Sequence, residues 1–412
     1  MDRRKFLKSS IVGAGAGTLA ASTALAGETI PKEVPEWSQI LGVGVDHEPY
    51  GLPSPHEARV RRRNVEWLTA STESSINFAP LHDLSGIITP NGLHFERHHG
   101  GVAEVDPAEH RLLIHGLVEK PLVFTLEDIK RFLPVSRFYF VECAANGGME
   151  WRGAQLNGCQ FTHGMISCCQ YTGVMLSTLL NEVGVSTKGK WILAEGADSA
   201  GMNRSIPMEK ALDDCMIVYA QNGEALRPAQ GYPMRLVVPG FEGNMSVKWI
   251  RRLEIGDMPW FAREETSKYT DLLEDGKARM FTWVQDANSI ITTPSPEKKM
   301  KYKGYNVMTG LAWSGRGSIK GVDISIDGGR NWAPAQLEDP VLPKCLTRFY
   351  FPWDWQGESR LIQSRAYDDT GYVQPTFTKQ REERGVNSIY HNNSIHTWEL
   401  KTTGEVENVQ LV

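Results

Sequence analysis

Cys143 closes the run Phe138-Tyr139-Phe140-Val141-Glu142-Cys143 and opens Ala144-Ala145-Asn146-Gly147-Gly148. A β-type stretch thus carries a thiol to a turn of small residues. A thiolate is a soft ligand suited to transition metals, and glycines let a large group lie against the backbone. A buried structural thiol at a strand end would look the same in isolation. Three other segments bear on the choice. Phe95-Glu96-Arg97-His98-His99-Gly100-Gly101 sets cations beside glycines, Gln230-Gly231-Tyr232-Pro233-Met234-Arg235 puts an arginine at the start of a β-type run, and Asn244-Met245-Ser246-Val247-Lys248-Trp249 adds a lysine. Guanidinium, ammonium and backbone amides are the usual donors to phosphate.

The elements around these residues are mixed. Arg111–Val118, Lys190–Ala194 and Met234–Pro239 have the composition of strands, while Leu126–Phe132 and Val174–Val183 have helical spacing. Strands and helices do not alternate strictly, so the fold class is α+β and not a doubly wound sheet. No G-x-G-x-x-G follows a strand and no phosphate-binding P-loop occurs, which argues against a nucleotide or nicotinamide enzyme. From about 284 the texture changes to short alternating strands with turn signals, including Val322–Ile326, Asp327-Gly328-Gly329 and Arg360–Ala366. That spacing predicts a β-sandwich of immunoglobulin type. The expected organisation is a leader at 1–26, an irregular extension at 27–75, a catalytic domain at 76–280, a sandwich at 281–400 and a polar tail at 401–412. The run Arg59-Val60-Arg61-Arg62-Arg63 in the extension reads as a solvated face, with docking of a partner as the other reading.

The first residues read as an export signal. Asp2-Arg3-Arg4-Lys5-Phe6-Leu7-Lys8 is a twin-arginine start, followed by a mildly apolar run to Ala24-Leu25-Ala26, an A-x-A cleavage pattern. The run is too short and glycine-rich for a membrane span. The twin-arginine route carries folded cargo, so a periplasmic protein loaded with a cofactor is expected. The chain has 44 Lys+Arg against 49 Asp+Glu, and removing the leader's residues leaves 40 against 48. A mature chain near −8 has no general nucleic-acid-binding character. The six cysteines have no regular period and no C-x-x-C pair, which leaves a disulfide framework, a zinc ribbon and attached c-type haem without support. The leader, the thiol and the phosphate-ready segments together fit a metal-bearing pterin with a phosphate tail.

At these residues the chain resembles the sulfite oxidase family of molybdenum enzymes, and within it the molybdenum subunits of the sulfane-oxidising branch of thiosulfate oxidation. The resemblance runs from about 76 to 400. Glu142-Cys143-Ala144-Ala145-Asn146 is similar to the family's Cys-Ala-Gly-Asn, whose thiolate is the protein ligand to molybdenum. Phe95, Arg97 and His99 match its Phe-x-Arg-x-His. Asp198, Gln230 and Arg235 match pterin contacts, and Ser246, Val247 and Lys248 match the phosphate-holding segment. Tyr269 stands where the family sets a tyrosine beside the metal. The resemblance therefore implies a molybdenum–molybdopterin cofactor with Cys143 as metal ligand, Cys143, Arg97 and Tyr269 as catalytic residues, and Asn146 among the cofactor contacts. It also implies an immunoglobulin-like dimerisation domain containing Ser325–Trp332.

The departures matter too. Sulfite-oxidising relatives often carry Arg-Arg where Gly147 and Gly148 stand here, Tyr171 replaces a pocket tryptophan, Gln230 a histidine, and Lys268 an acidic residue. Fewer cations lower the attraction for a small dianion, and two glycines are expected to open room for a larger group. Arg348, from the second domain, is a further candidate for the pocket. The expected function is oxidation of sulfane sulfur on a sulfur-carrier protein by oxo transfer. No haem domain precedes the core, so electrons are expected to leave to a separate cytochrome c subunit. The alternatives are a sulfite dehydrogenase and, in another class, a periplasmic interaction protein with a structural Cys143.

Overall fold

The computed structural model of the chain describes residues 39–41, 50–68, 71–385 and 387–411. The leader at 1–26 lies outside them. The chain divides into two compact units, 1–58 and 59–412. In the first, Ser54 accepts the His56 amide and caps a single turn, Pro55–Glu57. Among the described residues all the strands belong to the second. None of the described helices is long and apolar enough to cross a membrane.

Two sheets frame the first half of that unit. One runs in the order Glu224–Ala225, Met216–Gln221, Ile166–Met175, Val135–Glu142, and Arg235–Val237 also pairs with Met216–Gln221. The other is ordered Leu122–Phe124, Leu112–Gly116, Ile250–Gly256, Trp191–Gly196, Asn203–Pro207, with one parallel pairing between Ile250–Gly256 and Leu112–Gly116. Local chemistry explains the helices between them. Thr125 and Asp128 form a reciprocal capping box that starts the helix Leu126–Lys130. In Leu176–Val183 the residues Leu176, Leu179, Leu180 and Val183 share one buried face, and Gly184 ends the helix at φ 67°. The strand ending at Val141 is longer than its apolar run suggests, Val135–Glu142, because Ser136 and Arg137 continue the ladder on an exposed edge.

The second half is a sandwich. A four-stranded sheet, Asn288–Thr293, Gly304–Trp313, Thr347–Trp355, Gln336–Leu337, faces a five-stranded one, Ala333–Pro334, Ile319–Ser325, Arg360–Asp368, Thr397–Leu400, Val406–Val409. The segment expected as a polar tail thus holds the last strand. Val406 is buried and pairs with Leu400, Glu407 is exposed, and Asn408 turns inward to donate to Glu150 and the Leu156 carbonyl. One apolar core runs from Phe140, Val141 and Tyr171 into Trp313, Phe349 and Trp398 of the sandwich, and a second surrounds Ile114, Leu180, Leu236 and Leu253. The Arg59–Arg63 run is not a uniform solvated face. Arg62 is half-buried, donates to the His94 carbonyl at 3.2 Å and pairs with Glu96, while Arg63 bridges to Phe78.

Candidate active site

The strand Val135–Glu142 is exposed at its start and buried at its end, so it delivers Cys143 into the interior. Cys143 keeps 8 % of its surface and lines a cleft. Its amide donates to the Met165 carbonyl, and the turn closes as the Asn146 amide donates to the Cys143 carbonyl, each at 2.9 Å. Gly147 completes the turn at φ 71°. The sandwich half grips this turn from outside. His391 donates its amide to the Ala144 carbonyl at 2.7 Å, and Asn392 Nδ2 reaches the Gly147 carbonyl at 3.1 Å.

Phe95, Arg97, His99, Cys143, Asp198, Gln230, Arg235, Ser246, Val247, Lys248 and Tyr269, all singled out in the sequence, line this one cleft. Asn146 does not. Its amide nitrogen donates to Glu142 (2.9 Å) and to the His163 carbonyl (3.0 Å), and its oxygen accepts from the Met165 amide (3.1 Å). Asn146 therefore shapes the thiol-bearing turn from behind, because every one of those partners lies in the protein interior. The two-glycine expectation also fails on geometry. Neither glycine lines the cleft: a Cβ on Gly148 would sit 2.4 Å from the Ile389 carbonyl oxygen, and one on Gly147 3.2 Å from that of Asn392. The close approach of 389–392 accounts for glycine here, and the pair instead borders a second, mostly apolar cavity with Phe78, Phe161 and Met165. Tyr171 is fully buried below the cleft, 3.4 Å from His94 Nε2. Lys268 is exposed. Arg348 spends its donors on the Leu84 and Gly86 carbonyls and does not reach the cleft.

The cleft is built for an anion. Arg235 is 3 % exposed, donates to the carbonyls of Gln230 (3.2 Å) and Ser246 (2.8 Å), and leaves its Nε without a partner. Lys248 Nζ donates to the Arg97 and Ala229 carbonyls and to His98 Nδ1. Among the described residues no carboxylate lies within 4.0 Å of the charged nitrogens of Arg97, Arg235 or Lys248. Arg235 is buried and Arg97 and Lys248 are half-buried, with Asp198 the one cleft carboxylate acting on Lys248, so a positive surplus remains that an anionic ligand would offset. Burial, with Arg235 next, pushes Lys248 well below its ordinary value. Burial and the nearby cations likewise hold His94 and His98 at about 3 and His99 at about 4, so all three imidazoles are neutral. The Cys143 thiol is pushed up by burial, while Arg97 favours its thiolate.

Tyr269 occupies left-handed backbone, φ 50°, and its hydroxyl lies 3.2 Å from His99 Nε2. Its ring is held by the Arg204 guanidinium at 5.2 Å and by the Tyr390 ring at 5.1 Å. Arg204, 1 % exposed, lies 3.3 Å from Glu242 and 3.7 Å from Glu265. Sequence reasoning missed this support, along with His94, Met202, Asn244 and Trp249 on the cleft wall. The only forward signal was adjacency, since Trp249 follows Lys248 and His94 precedes Phe95. His98, beside the matched His99, lines the cleft as well.

Two family models match the chain: an oxidoreductase molybdopterin binding domain over residues 99–263 and a Mo-co oxidoreductase dimerisation domain over 279–398. A chain in the crystal structure of the sulfane dehydrogenase SoxCD from Paracoccus pantotrophus superposes with a TM-score of 0.91 at 57% identity, over 92% of this chain and 98% of that one. Curated relatives include a nitrate reductase [NAD(P)H] of Hordeum vulgare, 27% identical over 83% of this chain, and a nitrate reductase [NADH] of Ulva prolifera, 30% identical over 76%. The chain spans 43% and 41% of those two proteins, respectively.

Proposed function

The chain belongs to the sulfite oxidase family of molybdopterin oxidoreductases, and from that premise we propose that it oxidises carrier-bound sulfane sulfur in the periplasm. The observation that carries the reading is the likeness to the SoxCD chain at 57% identity over nearly its whole length. Electrons would leave to a separate c-type cytochrome subunit, and the dimerisation-type sandwich suits a homodimer. The cofactor is molybdenum on a molybdopterin, and the donor set fits it. Cys143 would supply the one thiolate, while the unmatched charges of Arg235 and Lys248, with Ser246 beside them, would hold the phosphate tail. Gln230, Asp198, Phe95 and His98 would border the pterin. When bound, this group supplies oxygen-atom transfer and a two-electron store.

The remaining steps belong to the protein. Arg97 shares the cleft with Cys143 and would stabilise the anionic oxygens that gather on the substrate sulfur, a preorganised electrostatic role. Tyr269 and the neutral His99, 3.2 Å apart, form a donor–acceptor pair able to pass a proton along the cleft. Arg204 and Tyr390 keep the Tyr269 ring in place. Free sulfite is the second reading. Against it, Arg97 is the only arginine of the expected substrate group on the cleft, with Arg348 committed to the Leu84 and Gly86 carbonyls. The test compares turnover of free sulfite with that of carrier-bound sulfane sulfur, using purified enzyme and a c-type cytochrome acceptor. Sulfite turning over as fast as the carrier-bound sulfur would remove the sulfane assignment.

A further inference from the structure

A second thiol stands in the opposite chemical setting. Cys159 opens the short helix Cys159–His163 and has no exposed surface. Its sulfur, a nitrogen of His82 and a carboxylate oxygen of Glu297 all lie within 4.8 Å of one another. His82 comes from the turn Leu81–Asp83 and Glu297 from the loop that follows the first sandwich strand. Three distant parts of the chain therefore meet at one point.

The hydrogen bonding prepares these atoms for a cation. His82, its side chain 5 % exposed, places Nε2 3.2 Å from Asp83, which is itself held by Lys298 at 2.5 Å. With Asp83 facing Nε2, the tautomer protonated there leaves a lone pair on Nδ1. That Nδ1 is buried, has no hydrogen-bond partner, and lies 3.7 Å from Glu297 Oε1. A carboxylate behind one imidazole nitrogen with the other nitrogen free is the usual outer support of a metal-bound histidine. Glu297 is positioned by the Cys159 and Gln160 amides, each at 3.1 Å, and by Ser295 at 3.0 Å. Those bonds leave an acceptor site on Oε1. Tetrahedral zinc with ordinary Zn–N, Zn–S and Zn–O lengths needs its donor atoms about 3.4–3.6 Å apart; the His82–Glu297 pair stands at 3.7 Å and the sulfur lies within 4.8 Å of both.

We propose that His82 Nδ1, Cys159 Sγ and Glu297 Oε1 form a binding site for a thiophilic divalent cation, with zinc as the representative ion and solvent as fourth ligand. Binding replaces the Cys159 S–H proton by the metal–sulfur bond and releases that proton. The thiolate and the carboxylate then offset the two positive charges. The ion would staple the segment before the cleft to the sandwich loop, and it would enter as the chain folds, since Cys159 is sealed.

The test uses the holoenzyme produced in zinc-supplemented culture and desalted, with zinc and molybdenum measured per chain. About one zinc per chain is expected, with one sulfur scatterer at the zinc absorption edge. Cys159→Ala and His82→Ala should lower zinc at least about tenfold with molybdenum unchanged, whereas Cys143→Ser should keep its zinc. Should either alanine variant fail to accumulate, Asp83→Asn serves in its place, and competition with a chelator should read an affinity about 10–100-fold lower. A zinc-free wild type, zinc retained in Cys159→Ala, or a zinc edge without sulfur would each overturn the site.

Discussion

Cys143 and Cys159 lie sixteen residues apart on one stretch of chain, and the protein surrounds them with opposite charge. Cys143 shares its cleft with Arg97, Arg235 and Lys248, and Arg97 is the cation that acts on the thiol itself. Around Cys159 stand Glu297 and, one residue further out, Asp83, in a corner with no solvent access at the sulfur. Both thiols are pushed up by burial; at Cys143 Arg97 opposes the shift ahead of the smaller upward pushes of Glu142 and Glu242, whereas at Cys159 Glu297 adds to it. A buried thiol therefore says little by itself. Its reach depends on the sign of the charge nearby: surplus cations call for an anionic cofactor, and surplus anions call for a bare cation.

The contrast can be broken by substitution, beginning with the largest effect. Cys143→Ser should leave a folded, pterin-bearing dimer whose turnover falls to background in a cytochrome reduction assay; normal turnover would remove the thiolate from the reaction. Arg97→Ala should lower kcat by about 10²–10³-fold, the usual loss when one preorganised oxyanion donor is removed. The pterin content, read by its fluorescence after release, should stay near wild type. Arg235→Ala acts on the other end. Loss of a charge-assisted hydrogen bond costs about 1.5–3 kcal/mol, so pterin retention through gel filtration should weaken by about 10–100-fold while the kcat of the loaded fraction holds. If Arg97→Ala lost pterin and Arg235→Ala lost only rate, the two ends of the cleft would have to be exchanged.

Much of the cleft was legible because its donors sit in short runs whose composition is unusual, such as Phe95–His99 and Ser246–Lys248. A cationic or thiol-bearing run beside glycines signals its chemistry locally. Asn146 and the glycine pair misled for a physical reason. Which face of a turn looks into a cavity depends on what packs behind it, and residues 389–392 come from more than two hundred positions further along the chain. The His82–Cys159–Glu297 corner was invisible on the same ground, since its ligands have no sequence spacing in common. The strands were read well where apolar runs were continuous. Val406–Val409 was missed because two of its four residues are polar and only Val406 is buried.

Glu150 offers the smallest and most diagnostic effect, because it lies between the two thiols in sequence and has neither a cation nor a donor cluster to answer its charge. It sits on the turn Gly148–Arg152, accepts one bond from Asn408 Nδ2 at 3.0 Å, and leaves Oε1 buried without a partner. His396 lies 3.9 Å away, but burial, and then His163, hold that imidazole neutral. Burial therefore pushes the Glu150 carboxyl up to about 7 from the ordinary 4.5, with Asn408 only partly opposing it. For an acid raised in the folded state, the native chain keeps a proton that the unfolded chain releases between about 4.5 and 7. Stability should consequently fall as pH rises through that window and level off above it, by at most about 3 kcal/mol for this group. Glu142 is raised to about 7 by the same burial and adds a slope of its own. Glu150→Gln should remove one share of that slope and leave the other, read as a smaller loss of thermal midpoint between pH 5 and 8. An unchanged slope would mean that Glu150 is already ionised, and that a counter-charge answers it beside Asn408 and His396.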